Sequence, residues 1–237
     1  SFCDGSNLSH MPAVQDHKRA YEGDTGPNTG GMGTYPDSDH SLPFLEKSHI
    51  LAAQKINQMT AEALQDKFGE GYKGILYGGF IATKDGVKVI EYNARFGDPE
   101  AMNVLSILET DLIDICSAII NEELNTIDIR FNNSATVCKY AVPEGYPDDP
   151  IKNKEIGVAE VADTDKLFYA SVELKNDKLF EMGSRTVAVV GAGDSIWEAE
   201  EIAEKEVSKI KGPLFHRKDI GTTELIQKKI NNMHSLK

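Results

Sequence analysis

The sequence predicts an α+β chain in two parts that meet near residue 130. Two observations carry this. Before residue 130, helical stretches flank a pair of strand-like runs; after it, four short strand-like runs follow one another and close on a single helix. No internal repeat is present.

The elements follow in order. Ser1 to Asp4 has the character of a strand already under way, so sequence is expected upstream, and Gly5 to Asn7 supply a turn. Residues 15 to 36 are dense in Gly, Asn, Thr and Asp and poor in aliphatic residues, which predicts a long loop without a core strand or an amphipathic helix. A helix is expected from Leu42, with Pro43 in its first turn, Ala52, Ile56, Met59 and Ala63 on one face, and Gly69 at its end. Lys73 to Thr83 and Val87 to Asn93 read as antiparallel strands joined by Lys84-Asp85-Gly86. From Pro99 to Leu124 the pattern is helical, with a break near Thr110, whose hydroxyl could cap a helix starting at Asp111. Residues 134 to 142, 156 to 162, 166 to 175 and 184 to 192 read as strands, and Ser195 to Ile210 as a helix with Ile196, Ala199, Ile202 and Val207 on its apolar side.

The formal charge of -13 argues against a nucleic-acid-binding role, which relies on a Lys and Arg surface. A small anionic ligand would need local cations or magnesium. Cys3, Cys116 and Cys138 are odd in number and lack metal spacing, so reduced packing thiols in a cytoplasmic protein are expected. No apolar run is long enough to span a bilayer and no leader opens the chain, so neither a membrane protein nor a secreted one is expected.

Chemistry concentrates in the run Glu91-Tyr92-Asn93-Ala94-Arg95-Phe96-Gly97-Asp98-Pro99-Glu100. Strand alternation would bring Val87, Val89, Glu91 and Asn93 to one face, with two oxygen donors at the strand's end. Such a pair suits magnesium, which takes one or two protein ligands and completes its shell with substrate phosphates. Arg95 continues the alternation and is shaped to grip a carboxylate or a phosphoryl group. Spacing alone leaves open that Glu91 and Asn93 are the wet polar end of a strand. A second constellation runs Gln15-Asp16-His17-Lys18-Arg19 and then Asp24-Thr25-Gly26-Pro27-Asn28-Thr29-Gly30-Gly31-Met32-Gly33. Its glycines permit close backbone approach and its N–H groups could cradle an anion, yet it fits neither a Walker loop nor a dinucleotide fingerprint, and a flexible surface loop remains the alternative. His17 lacks an evident partner that would make it a base. No Ser-His-Asp or Cys-His arrangement is present, and Val189-Val190-Gly191-Ala192-Gly193 reads as a strand-to-helix turn.

Together with Arg217-Lys218-Asp219-Ile220-Gly221, these segments resemble, in order and approximate separation, the signature of the glycinamide ribonucleotide synthetase family, and the resemblance covers essentially the whole chain. It implies the C-terminal part of an ATP-grasp fold, a mixed or antiparallel sheet with helices, over residues 1–130. A small mixed β/α C-terminal domain would then occupy residues 131–237. It also implies that a missing N-terminal portion of the same enzyme carries the strands that cover ATP, so the isolated chain is expected to be inactive.

For the whole enzyme the resemblance implies ATP-dependent ligation of glycine to 5-phosphoribosylamine through glycyl phosphate, in purine biosynthesis. Glu91 and Asn93 would hold magnesium or manganese. Arg95 would handle the acyl phosphate and Asp98 the incoming amine. Asp16, Lys18 and the loop bearing Thr25, Gly26, Pro27, Asn28, Gly30 and Gly31 would contact phosphoribosylamine or close over the intermediate. Arg217 and Asp219 would add substrate contacts from the C-terminal domain, with an interdomain salt bridge as the alternative. Two rival readings are a different ATP-grasp ligase and a non-catalytic ATP-grasp-derived binding or assembly module.

Overall fold

In a computed structural model, which describes residues 1–235, the chain is α+β. It opens with β1 (Phe2–Asp4), β2 (Leu8–Ser9), β3 (Gln15–Asp16), β4 (Arg19–Tyr21), β5 (Thr25–Asn28) and β6 (Gly33–Tyr35). Next come α1 (Lys47–Phe68), β7 (Lys73–Ile75), β8 (Tyr77–Thr83), β9 (Gly86–Asn93), α2 (Glu100–Ser106) and α3 (Leu112–Asn121). The remainder holds β10 (Ala135–Pro143), β11 (Glu155–Ile156), β12 (Leu167–Tyr169), β13 (Val172–Lys175), β14 (Lys178–Glu181), β15 (Val187–Gly193), α4 (Ile196–Val207), β16 (Leu214–Phe215) and α5 (Thr223–Ser235). Every pairing between these strands is antiparallel.

The largest sheet has the order β12-β15-β10-β6-β3, with β16 also pairing β10. It therefore draws strands from both sides of residue 130. α4 packs on it because Ser195 caps the helix and Ile196, Ala199, Ala203 and Val207 are buried, whereas Ile202 turns outward. Gly191 lies within β15 rather than in a strand-to-helix turn, and a Cβ there would press on the Ala199 carbonyl and the Ala203 nitrogen. Lys139, fully buried in β10, pins α4 to the sheet through Glu200 at 2.6 Å and Glu204 at 2.8 Å, and its Nζ also donates to the Lys218 carbonyl at 2.9 Å. α2 is fixed from the other direction by buried Asn103, which accepts from Thr34 Oγ1 and donates to the Thr34 and Thr136 carbonyls.

Several expectations need correction. The segment 15 to 36 does contain a core strand: β6 is fully buried between β3 and β10, where Met32 and Tyr35 join the main core cluster. The face of α1 turned inward centres on Asn57 and Ala61, while Met59 and Ala63 are exposed, and the helix begins at Lys47 behind a capping box between Glu46 and His49. Gly69 does close it, at φ 77°. Asp111, not Thr110, caps α3, its carboxylate accepting from Ile113 N at 2.7 Å, while Thr110 Oγ1 donates to the Asp128 carbonyl. The second predicted strand after residue 130 shrinks to β11, and the third divides into β12 and β13. Cys3 and Cys138 are buried packing residues, but Cys116 is exposed. Among the described residues no helix is long and apolar enough to cross a membrane.

Candidate active site

The β8–β9 hairpin carries the first group of residues. Its register slips between Gly79 and Phe80, leaving Ile90 as an extra residue on β9. Side-chain alternation therefore does not run unbroken from Val87 to Asn93, as the spacing predicted. Beyond the bulge, Glu91 and Asn93 do share a side: Asn93 Nδ2 donates to Glu91 Oε1 at 3.3 Å. Arg95 joins them, with Nη2 donating to Asn93 Oδ1 at 3.4 Å and Nη1 to the Phe96 carbonyl at 2.7 Å. Two hard oxygen donors and a guanidinium thus converge at one strand end. This donor set fits a magnesium-sized ion that completes its shell from a ligand; among the described residues no cluster of three or more His, Cys, Asp or Glu could hold one alone.

A cavity of about 730 Å³ opens beside this strand end, and Asp16, Lys18, Tyr77, Glu91 and Glu100 are among the residues that line it. Lys18 Nζ lies 2.6 Å from Asp16 Oδ2, yet neither Asp16 oxygen accepts a well-aligned hydrogen bond, although both are shielded from solvent. Burial, reinforced by the charge of Glu100 and opposed by Lys18, pushes Asp16 up from 3.8 to about 6. Burial pulls Lys18 down, but Asp16, with Glu100 and Glu91 behind it, more than offsets this and keeps the ammonium charged. Glu100 itself is buried and accepts from the Tyr77 hydroxyl at 2.7 Å.

Asp98 lies across the Gly30–Gly31 turn from this group. Arg185 holds its carboxylate in a two-pronged pair at 3.2 and 3.1 Å, and the Tyr140 hydroxyl donates to Oδ1 at 2.9 Å. The glycine-rich segment is not an anion cradle. Thr29 N donates to the Lys18 carbonyl, Gly31 N to Thr29 Oγ1, Met32 N to the His17 carbonyl and, at a long 3.5 Å, Gly30 N to the Tyr146 hydroxyl. Carbonyl oxygens, not N–H groups, face outward there, and Arg185 takes them up. Thr25, Gly26, Pro27 and Asn28 form one arm of the β4–β5 hairpin, braced by Arg19 Nη1 donating to the Gly26 carbonyl at 2.8 Å.

The profile described as "Phosphoribosylglycinamide synthetase, ATP-grasp (A) domain" matches residues 1–101, and that described as "Phosphoribosylglycinamide synthetase, C domain" matches residues 136–223. The chain belongs to the phosphoribosylglycinamide synthetase family. Curated relatives named phosphoribosylamine–glycine ligase, from Methanosarcina acetivorans and Methanocaldococcus jannaschii, are 54% and 52% identical to it. Each match takes in 100% of this chain and 54% of the relative, so the chain spans about half their length. The crystal structure of phosphoribosylamine–glycine ligase from Thermotoga maritima superposes with a TM-score of 0.80 at 28% identity, over 91% of this chain and 53% of that one. The biotin carboxylase subunit of pyruvate carboxylase shares the fold at a TM-score of 0.61 and 17% identity, over 98% and 47% of the two chains. The architecture is that of an ATP-grasp protein.

Arg217 and Asp219 stand apart from the cavity, whose lining includes neither. Arg217 is 1% exposed and its guanidinium donates to Asp219 through Nε and Nη2, and to Asp24 Oδ1 and the Arg19 carbonyl through Nη1. Asp219 also accepts from Gly23 N, and Lys229 Nζ lies 3.3 Å from Asp24. Together these pairs tie the β4–β5 turn to the C-terminal segment. His17 is buried beside this network, and burial, with Lys229 adding to it, drives its imidazole far below the usual range. It is neutral and unsuited to trapping a proton near neutral pH. The sequence missed Arg185, Tyr140 and Tyr77. The one local signal at Arg185 was a basic residue in the Gly183-Ser184 turn of an acidic chain.

Proposed function

We propose that this chain is the C-terminal part of an ATP-dependent ligase that joins glycine to 5-phosphoribosylamine, giving glycinamide ribonucleotide, ADP and phosphate. The observation that carries the reading is the convergence of Glu91, Asn93 and Arg95 beside a cavity containing Lys18 and Asp16, in a chain 54% identical over its whole length to a phosphoribosylamine–glycine ligase. A glycine carboxylate oxygen attacks the γ-phosphorus of ATP and the bond to the β-phosphate oxygen breaks, leaving ADP and glycyl phosphate. The amine nitrogen then attacks the acyl carbon, the carbon–oxygen bond breaks, and phosphate departs. Such transfers depend on alignment and charge neutralisation rather than on a protein nucleophile.

Glu91 and Asn93 would hold magnesium or manganese, which when bound neutralises charge on the phosphates. Arg95 grips the acyl phosphate and Asp98 receives the amine. Asp16 and Lys18 present a paired acid and ammonium to phosphoribosylamine. The β4–β5 hairpin with Thr25, Gly26, Pro27 and Asn28, and the Gly30–Gly31 turn, close over the intermediate and exclude water. Arg217 and Asp219 serve substrate binding through the hairpin they anchor. We place the boundary between the ATP-grasp part and the C-terminal domain near residue 130, in the gap between the two family matches. The two parts share a sheet, so they work as one body. Besides its small-molecule substrates, the chain's partner is an N-terminal portion of the same ligase; the edge of β8 away from β9 pairs with no strand among the described residues and offers it a place. A cytoplasmic location goes with the free thiols.

The test is phosphate release from ATP by this chain supplemented with the N-terminal half of the Methanosarcina acetivorans relative. Release that requires both glycine and phosphoribosylamine, and that falls in Glu91→Gln without loss of folding, supports the reading. Release driven by bicarbonate points to a carboxylase-like ligase, and no nucleotide binding by the associated halves points to a non-catalytic module.

A further inference from the structure

Arg185 sits in the turn between β14 and β15, 87 residues from Asp98 in sequence, yet most of its donors converge on that residue. Besides the two-pronged carboxylate pair, Nη1 donates to the Asp98 carbonyl at 2.9 Å and to the Gly30 and Gly31 carbonyls at 3.1 and 3.4 Å. The guanidinium lies over the Tyr140 ring, with Cζ 4.8 Å from its centroid, while the Tyr140 hydroxyl donates to Asp98 Oδ1. A Cβ on Gly30 would come within 2.9 Å of Cζ, so the turn's glycine is what lets the guanidinium in.

The exposures are unequal in an informative way. The Arg185 side chain is 17% exposed, whereas the Asp98 side chain is 50% exposed. A half-exposed aspartate would ordinarily move between rotamers. Three charge-assisted or aromatic hydroxyl bonds, two on Oδ1 and one on Oδ2, instead fix the carboxylate and leave one acceptor position, on Oδ2, free among the described residues.

We propose that Arg185 is a positioning residue for the amine-transfer step: with Tyr140 it holds Asp98 so that the free acceptor position on Oδ2 takes an N–H of the attacking amine. This deepens the proposed ligase reading and rests on it. In that step the nitrogen lone pair forms the C–N bond to the acyl carbon and the C–O bond to phosphate breaks. The leaving phosphate takes the bonding electrons and ends with the proton that nitrogen gives up. Asp98 orients the amine and is not consumed. Lysine cannot reproduce the fork, since it offers a point charge in place of two parallel N–H groups.

The experiment uses the complete ligase and separates the two half-reactions. Glycyl phosphate is trapped as the hydroxamate with ATP, glycine and concentrated hydroxylamine, and full turnover is followed with phosphoribosylamine. Arg185→Lys is expected to lower kcat/KM for phosphoribosylamine by about 10- to 100-fold, the value of a bidentate charged pair, while hydroxamate formation and the KM values for ATP and glycine stay unchanged. Asp98→Asn should show the same split, and the double variant should lose no more than Asp98→Asn alone. Proportional loss of both half-reactions in Arg185→Lys, which a purely structural staple would give, overturns the proposal. So does an unaltered amine step, or losses that multiply in the double variant. If wild-type enzyme forms no hydroxamate from glycine, the ligase reading itself fails, and that outcome is distinct from all of these.

Discussion

Replacing Asp16 with asparagine should stabilise the protein at neutral pH while impairing its function. Asp16 is largely buried, its oxygens lack aligned donors, and burial with the nearby Glu100 pushes it from 3.8 to about 6. Between these two values the folded chain retains a proton that the unfolded chain has released. Stability due to Asp16 therefore falls as pH rises through that window, and it stays lost above it. A rise of roughly two pH units corresponds to about 3 kcal/mol. Asparagine imitates the protonated acid and escapes this loss; the attraction to Lys18 is already contained in the net shift. Urea unfolding of wild type and Asp16→Asn at pH 4 and pH 7.5 measures the difference. The variant should match wild type at pH 4 and exceed it by about 3 kcal/mol at pH 7.5. An equal effect at both pH values, or a loss at pH 7.5, would refute the argument that Asp16 is held ionised at a cost. Stability given up at a carboxylate that lines the cavity is the pattern expected where a charge is kept for binding or chemistry.

Three further outcomes follow from the same geometry. Arg217→Ala should destabilise by about 3 to 5 kcal/mol in urea unfolding, because it leaves Asp24 and Asp219 without their shared buried cation; Arg217→Lys should lose less. Burial alone would raise Glu204, but His216 and Lys139 outweigh it and pull it from 4.5 to about 2, so its contribution is present above pH 4.5 and is lost as pH falls towards 2. Acid unfolding of Glu204→Gln should accordingly show a shallower pH dependence than wild type across that window. A thiol reagent at neutral pH should find one reactive cysteine, Cys116, in the native chain and three in denaturant, since Cys3 and Cys138 are buried and burial pushes both thiols up.

What the sequence made legible was local. Gly69 ends α1 because a left-handed residue is needed there, and Lys84-Asp85-Gly86 turns one strand back on the other with Gly86 at φ 94°. Glu91, Asn93 and Arg95 meet because they occupy successive same-side positions at one strand end, beyond the bulge that the spacing did not reveal. What remained hidden depended on distant parts of the chain. β6 is buried because β10 and β3 flank it, although its own residues, Gly33, Thr34 and Tyr35, lack the aliphatic pattern of a core strand. The inward face of α1 contains Asn57, whose amide oxygen accepts from the Tyr92 hydroxyl on β9. A polar residue turned inward by a partner 35 positions away has no signature in hydrophobic periodicity.

The same dependence explains why the C-terminal segment reaches the residues of the proposed site. Asp98 and the Gly30–Gly31 turn come from the first part of the chain, but the cation that joins them, Arg185, and the ring beneath it, Tyr140, come from β10 and the turn before β15. The β4–β5 turn is likewise held by Arg217 and Asp219 from the far end of the sequence. Bidentate charged contacts lose their geometry with small displacements. The six-stranded sheet containing β6 and β10 is what holds the two halves in register. Loosening Lys139 or α4 should therefore reach the site through Arg185, without any contact between those residues and a substrate.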